Sequence, residues 1–243
     1  MMENFESCYF LEGRQKLHYY HRVGSSARIV FLHGLGTAGD SWARLVEELP
    51  EELEIYAVDI PGHGKSSVPQ EFTHEAQAQL MQKFVGGIGG DATVFGHSYG
   101  GWLAIGCALS CPNVKALVIE DSAGLASHFK GIVDAGRKKE HFSTMMDNLK
   151  RRGGQNEKVV QRMLESAFES GHITDVLLRQ LKLPTLILWG ELDNRIPIGC
   201  ADTFHRGIMG SRLVIIDGAK HTPHYTNPKE VAEALLDFIK SGK

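Results

Sequence analysis

The sequence predicts an α/β protein, with a mostly parallel central sheet, helices on both faces and one helical insertion. Three observations predict it. Short apolar runs alternate with longer helix-like segments through the first half and again near the end. Chemistry-bearing residues follow directly on the ends of those runs. The alternation lapses between about Ser122 and Leu181. Strands alternating with helices imply crossover connections, and these give a parallel sheet with both faces covered.

The elements follow in order. Ser7 to Glu12 and Lys16 to Arg22 flank Gly13-Arg14 and read as an antiparallel hairpin. Ile29 to Leu32 is an apolar run ending in His33-Gly34, the pattern of a buried strand. Ser41 to Leu49 reads as a helix with Asp40 or Ser41 as N-cap. Ile55 to Ile60 is the next strand and runs into a Pro61-Gly62-His63-Gly64 turn. Phe72 to Val85 is helical until the glycines between Gly86 and Gly90 break it. Thr93 to Gly96 is a strand leading to Ser98, and Trp102 to Leu109 is a helix ended near Pro112. Lys115 to Glu120, Leu186 to Trp189 and Leu213 to Ile216 are further strands, and Glu230 to Lys240 is a terminal amphipathic helix. On this reading 1–121 and 182–243 form the core, and 122–181 is an inserted helical segment. Its basic runs, Arg137-Lys138-Lys139 and Lys150-Arg151-Arg152, read as solvated faces.

Composition narrows the function classes. A length of 243 residues suits one α/β domain. With 26 basic and 29 acidic residues the formal charge is −3, which offers no strongly basic surface to a nucleic acid or an anionic membrane. Cys8, Cys107, Cys111 and Cys200 form no CxxC pair. Cys107 and Cys111, four apart on a predicted helix, read as buried small hydrophobes, which fits a reducing compartment. The segment MMENFESCYF lacks the basic and apolar regions of a signal peptide. No apolar run approaches the ~18 residues that a spanning helix needs. The expectation is a cytoplasmic protein.

Gly96-His97-Ser98-Tyr99-Gly100, followed by Gly101, fits G-x-S-x-G between a strand and a helix. That is the context of a nucleophile elbow, a strained turn that lifts a serine hydroxyl above the sheet. The glycines are needed where neighbouring chain passes close. A serine hydroxyl is a poor nucleophile at neutral pH and needs a base. Among 12 histidines, His221 and His224 lie just past the last strand, on the Ser98 side of the sheet. The base needs a carboxylate to set its tautomer, and Asp193 follows the preceding strand in the same way. The order Ser98, Asp193, His221 is nucleophile, acid, base. The Tyr99 N–H, at a helix N-terminus, is placed to face a developing oxyanion. No HExxH or grouped ligand spacing points to a metal.

Several ordered motifs now carry a resemblance: HGLG at His33 to Gly36, DIPGHGKS at Asp59 to Ser66, GHSYGG at Gly96 to Gly101, WGELD at Trp189 to Asp193, and GAKHTPH at Gly218 to His224. From roughly Lys16 to Lys240 the chain resembles the α/β-hydrolase superfamily. The resemblance implies that His221 is the base and Asp193 the acid, and that His224 is a wall residue or structural donor. It makes the Leu35 N–H the second oxyanion donor and His33 a brace for the loop. Asp121 and Glu120, at the end of the strand that follows the nucleophile helix, are the competing carboxylates, and Asp121 is read as a loop anchor. DIPGHGKS is read as a shaped turn without chemistry. Trp42, Trp102, Trp189 and Tyr225 are read as core or pocket wall.

A serine nucleophile excludes the branches of the superfamily that use Asp, the haloalkane dehalogenases and epoxide hydrolases. The implied reaction is hydrolysis of small to medium carboxylic esters through an acyl-enzyme, with a small-molecule ester as partner and no cofactor, metal, nucleic acid or membrane. The insertion then caps the site. Leu125, Phe129, Ile132, Phe142, Met145, Met146, Leu149, Met163, Leu164 and Phe168 line an acyl pocket or form the cap's own packing face. Two other readings stand beside it: a carbon–carbon bond hydrolase, with Arg137 or Arg151 gripping a carboxylated substrate, and a hydrolase-fold ligand receptor.

Overall fold

In the computed structural model, which describes residues 2, 4–152, 157–169 and 171–242, eight strands form one sheet in the order β1-β2-β4-β3-β5-β6-β7-β8. The side chains of 141 and 148–152 also lie outside the description, and with them Leu149 and the whole second basic run, Arg151 included. The strands are β1 (Glu6–Glu12), β2 (Gln15–Arg22), β3 (Arg28–Leu32), β4 (Glu54–Val58), β5 (Ala92–His97), β6 (Val114–Glu120), β7 (Thr185–Gly190) and β8 (Arg212–Ile216). β1 and β2 form the antiparallel hairpin, β2 pairs antiparallel with β4, and every pairing from β4 through β3 to β8 is parallel.

The parallel strands are mostly apolar because both sheet faces are covered. Alternate side chains go to opposite faces. In β3, Val30 and Leu32 enter one core cluster, while Ile29 and Phe31 enter the other. Helices α2 (His74–Gly87) and α3 (Tyr99–Ser110) close the first face through Phe84 and Leu103. The short helix α1 (Ala43–Glu47) covers the second face through Leu45. Between β6 and β7 come α4 (Ala126–Asp134), α5 (Lys138–Arg152), α6 (Glu157–Ala167) and α7 (Asp175–Leu178). Then α8 (Gly199–Gly207) joins the first face by Phe204, and α9 (Pro223–Thr226) leads into α10 (Pro228–Ser241), which joins the second by Leu235 and Phe238. Among the described residues no helix is long and apolar enough to cross a membrane.

Two boundaries differ from the sequence reading. The helix expected over 41–49 is a 3₁₀ turn, Gly39–Trp42, followed by α1, and neither Asp40 nor Ser41 caps it. Ser41 donates its hydroxyl to the Ala38 carbonyl instead, and the Gly39 N–H is taken by Asp59 Oδ1 at 2.6 Å. A carboxylate distant in sequence does the capping, so the local signal misleads. Helix α3 starts at Tyr99, before the expected Trp102, because Gly100 and Gly101 are close-approach residues and not breakers. A Cβ at Gly96 would lie 2.1 Å from the Gly100 carbonyl oxygen, and one at Gly100 would lie 2.1 Å from that of Leu32.

Candidate active site

The carboxyl ends of β3, β5, β6, β7 and β8 converge on one place, as they do in open α/β sheets. Ser98, between β5 and α3, holds φ 53° and ψ −116°. A non-glycine residue there costs on the order of 1–3 kcal/mol and persists only where its surroundings enforce it. Its N–H donates to the Glu120 carbonyl at 2.9 Å, and its carbonyl accepts from the Ala123 N–H at 3.1 Å. The turn is thus bolted to β6 and the chain beyond it, with the hydroxyl outward.

His221, on the loop after β8, meets that hydroxyl. Its Nε2 lies 3.1 Å from Ser98 Oγ, and its Nδ1 lies 2.8 Å from Asp193 Oδ2. Asp193 is a pure acceptor when ionised, so Nδ1 carries the proton and Nε2 is left bare toward the serine. The other carboxylate oxygen, Oδ1, accepts the N–H groups of Arg195 at 2.7 Å and Ile196 at 3.1 Å. Both side chains are buried, His221 at 6% and Asp193 at 9% exposure, while Ser98 stays partly open. The three residues come from three strand ends and form one hydrogen-bonded line.

The N–H groups of Tyr99 and Leu35 have no intramolecular acceptor among the described residues, and both residues line the cavity that holds Ser98. His33, wholly buried, shapes the loop that carries Leu35. Its Nε2 accepts the Ile60 N–H at 3.0 Å, so its Nδ1 donates to the Gly34 carbonyl at 2.8 Å. Burial holds its pKa down to about 4. A neutral ring is what that pair of bonds requires.

The model of the alpha/beta hydrolase family matches residues 29–234, which includes every strand from β4 to β8, nearly all of β3 and all three residues of the line. The chain belongs to the alpha/beta hydrolase family. It is 24% identical to a monoacylglycerol lipase of Xenopus laevis, over 98% of this chain and 80% of that one. It is 26% identical to a pimeloyl-[acyl-carrier protein] methyl ester esterase of Neisseria meningitidis, over 88% of this chain and 93% of the relative. Among solved structures, a thermophilic esterase from Thermogutta terrifontis superposes with a TM-score of 0.80 at 21% identity, covering 98% of this chain and 99% of that one. A bacterial membrane phospholipase A superposes at 0.81 and 23% identity, covering 99% and 87%. The last two are likenesses of fold.

The hydrolase cavity measures about 390 Å³. Its floor is the strand-end residues, and its wall is Trp102 with Phe129, Ile132, Met145, Leu164 and Ala167 of α4, α5 and α6. Leu125 and Met163 turn instead into the core cluster beneath, and Phe168 packs edge-on to Phe129. The apolar residues of the insertion therefore divide between pocket and packing. Arg137 lines the cavity while remaining exposed; Lys138 and Lys139 are exposed and do not line it.

Other expected roles sort by contact. His224 is structural: its N–H donates to Glu120 Oε1 at 2.8 Å and its Nδ1 bonds Oε2. In DIPGHGKS, Asp59 is a buried hub that accepts from Gly39 and from the Lys65 N–H at 2.8 Å, and meets His18 Nδ1 at 2.7 Å. His63 Nε2 takes the Gly36 N–H at 3.1 Å. This motif shapes the loop of Leu35 and touches no part of the Ser98 line. Trp42 and Trp189 are core, and Trp102 is both core and wall. Tyr225 is neither: the short turn of α9 points it outward, 47% exposed, beneath the Arg44 guanidinium.

Among the described residues, three groupings bring potential metal-ligand atoms within 4.8 Å: Glu6, Cys8 and His21 on the hairpin, His97, Asp121 and His221, and His97, Glu120 and His224. In the buried two, His221 and His224 each spend Nδ1 on a carboxylate, and His97 Nε2 donates to the His221 carbonyl at 2.6 Å. These are hydrogen-bond networks by their own geometry.

Proposed function

We propose that the protein is a serine hydrolase that cleaves small to medium carboxylic esters through an acyl-enzyme. The observation that carries this is the unbroken line Ser98 Oγ, His221 Nε2, His221 Nδ1, Asp193 Oδ2, with spacings of 3.1 and 2.8 Å, opening into an apolar cavity. Ser98 is the nucleophile, His221 the general base and Asp193 the acid that holds its tautomer. As Oγ bonds to the substrate carbonyl carbon, its proton passes to Nε2 and the carbonyl electron pair moves onto oxygen. The N–H groups of Tyr99 and Leu35 stabilise that oxyanion. Collapse expels the alcohol, which takes the proton from Nε2. Water then repeats the cycle and releases the acid.

The segment 122–181 serves as a cap. Its aromatic and aliphatic wall, Phe129, Ile132, Met145 and Leu164, suits an acyl chain, and the cavity volume favours short and medium chains over long lipids. That relatives of the chain are named as esterases and lipases agrees with this reading.

The test is a p-nitrophenyl ester series from acetate to dodecanoate, with wild type, Ser98→Ala and His221→Ala in parallel. Turnover of short esters that both variants abolish is the expected result. Rates rising steadily to the longest chain would overturn the size assignment. A folded wild type inert to the whole series would overturn ester hydrolysis and favour the carbon–carbon hydrolase or receptor readings.

A further inference from the structure

Among the described residues, two non-glycine positions hold a positive φ: Ser98 and Asp121. The elbow accounts for the first. Asp121 lies just beyond β6 with φ 45° and is wholly buried. Its Oδ1 accepts the Gly190 N–H at 2.9 Å. Its Oδ2 is buried and meets no donor. Backbone strain and an unmet buried polar atom each cost on the order of 1–3 kcal/mol, so a residue carrying both needs a reason.

The groups around it supply one. Glu120 precedes it on β6, Asp193 faces it from the loop after β7, His97 from the end of β5 and His221 from the loop after β8. No N–H among these is available to Oδ2. His221 spends Nδ1 on Asp193, and His97 spends its proton on the His221 carbonyl. An ionised Asp121 would bury a negative charge beside two other carboxylates. A neutral Asp121 has an O–H to give, and the carboxylate beside it is Asp193: an Asp121 oxygen lies within 4.8 Å of a His221 ring nitrogen, and Asp193 Oδ2 lies 2.8 Å from His221 Nδ1. A carboxylate offers about four lone-pair sites. Asp193 uses two on Arg195 and Ile196 and one on His221, which leaves one.

We propose that Asp121 is a positioning residue of the active site: as a neutral acid it donates its Oδ2 proton to the Asp193 carboxylate, and so fixes the group that orients His221. The proposal rests on the assignment of Ser98, His221 and Asp193 above. Burial, reinforced by the negative charges of Glu120 and Asp193, holds the Asp121 carboxyl well above the usual carboxylate range. The two acids then share one proton and one negative charge. The donated bond also tempers Asp193, so removing it strengthens the pull of Asp193 on a protonated His221.

The test is the pH profile of kcat/KM on p-nitrophenyl butyrate for wild type, Asp121→Ala and Asp121→Asn. Alanine removes the donor. Its kcat is expected to fall about tenfold, a hydrogen bond to a charged group, and its acid limb to move to higher pH. Asparagine rescues both, because its oxygen still accepts from Gly190 and its NH₂ still donates to Asp193. An Asp121→Asn limb moved to lower pH would mean that a negative charge had been removed beside His221, and it overturns the proposal. So does an Asp121→Ala protein with wild-type kcat and limb. A second measurement needs no turnover. Infrared spectra of folded wild type should show a protonated-carboxyl stretch that shifts in D₂O and is missing from Asp121→Asn. Absence of that band in wild type overturns the proposal. A wild type with the band but no ester turnover overturns the esterase reading instead.

Discussion

Two histidine–carboxylate pairs sit side by side at the carboxyl edge of the sheet, and they differ in what lies beyond the ring. His221 pairs with Asp193 and turns its free nitrogen to Ser98 Oγ. His224 pairs with Glu120 and packs its ring against Trp42, with centroids 4.3 Å apart. Both rings are buried, at 6% and 3% exposure, and both neighbour His97. A histidine held by a carboxylate therefore faces a serine hydroxyl in one place and ties α9 to β6 in the other. The pairing does not decide which; the group offered to the second ring nitrogen does.

The comparison is sharpest under substitution. His221→Ala should lower kcat by roughly 10³–10⁶, as removal of a triad base does elsewhere, and cost less in melting temperature than loss of Glu120, because Asp193 keeps the Arg195 and Ile196 N–H groups. A melting loss comparable to that of the Glu120 variant below would make the first pair a clamp as well. Glu120→Gln should act the other way. Breaking a buried pair from one side costs roughly 3–5 kcal/mol of stability, while the folded fraction keeps most of its kcat. A kcat loss as large as that of His221→Ala would erase the distinction. Leu35→Pro removes an N–H from the loop that His33 and His63 hold, and should cost roughly 10²–10³ in kcat. Near-normal turnover in the folded variant would remove Leu35 from the oxyanion site.

The smallest effect is on acid stability, and it separates the clamped region from the reactive one. Burial holds the pKa of His33 down to about 4, and those of His63 and His74 to about 3, with His97 also well below its ordinary value. In the unfolded chain these rings titrate near ~6.5. Below that pH the unfolded state gains protons that the folded state refuses. The stability they contribute is complete above about 6.5 and is lost progressively as pH falls toward 4 to 3. Urea midpoints measured from pH 8 to 4 should stay level and then drop. A flat profile would mean that these rings are not held neutral by the fold.

Much of this molecule was legible in the chain because its signals are local. The alternation of apolar runs with helical segments needs no tertiary information, and β3 to β8 fall within a residue or two of their expected places. The elbow is equally local: Gly96 and Gly100 are demanded by backbone atoms 2.1 Å from where a Cβ would stand. The order of Ser98, Asp193 and His221 could be read along the chain for the same reason, since each follows a strand end.

What the chain concealed depends on residues distant in sequence and adjacent in space. The cap of the 3₁₀ turn is Asp59, twenty positions beyond the Gly39 N–H it accepts, so the nearby Asp40 and Ser41 were misleading. Helix α8 and the outward turn of Tyr225 carried no sequence signal that set them apart. The division of the insertion between wall and packing, with Phe129 and Leu164 on the cavity and Leu125 and Met163 in the core, is set by where α4 and α6 land on the sheet. Residue types and spacing determined the fold class, the strand ends and the candidate nucleophile, because steric and periodic constraints act between neighbours; the family resemblance chose His221 over His224 and Asp193 over Asp121. Tertiary structure alone decided how His221 and His224 divide their carboxylates, which carboxyls share a wall, and that Asp121 sits strained beside Asp193, because burial and hydrogen bonding at that edge join five strands at once.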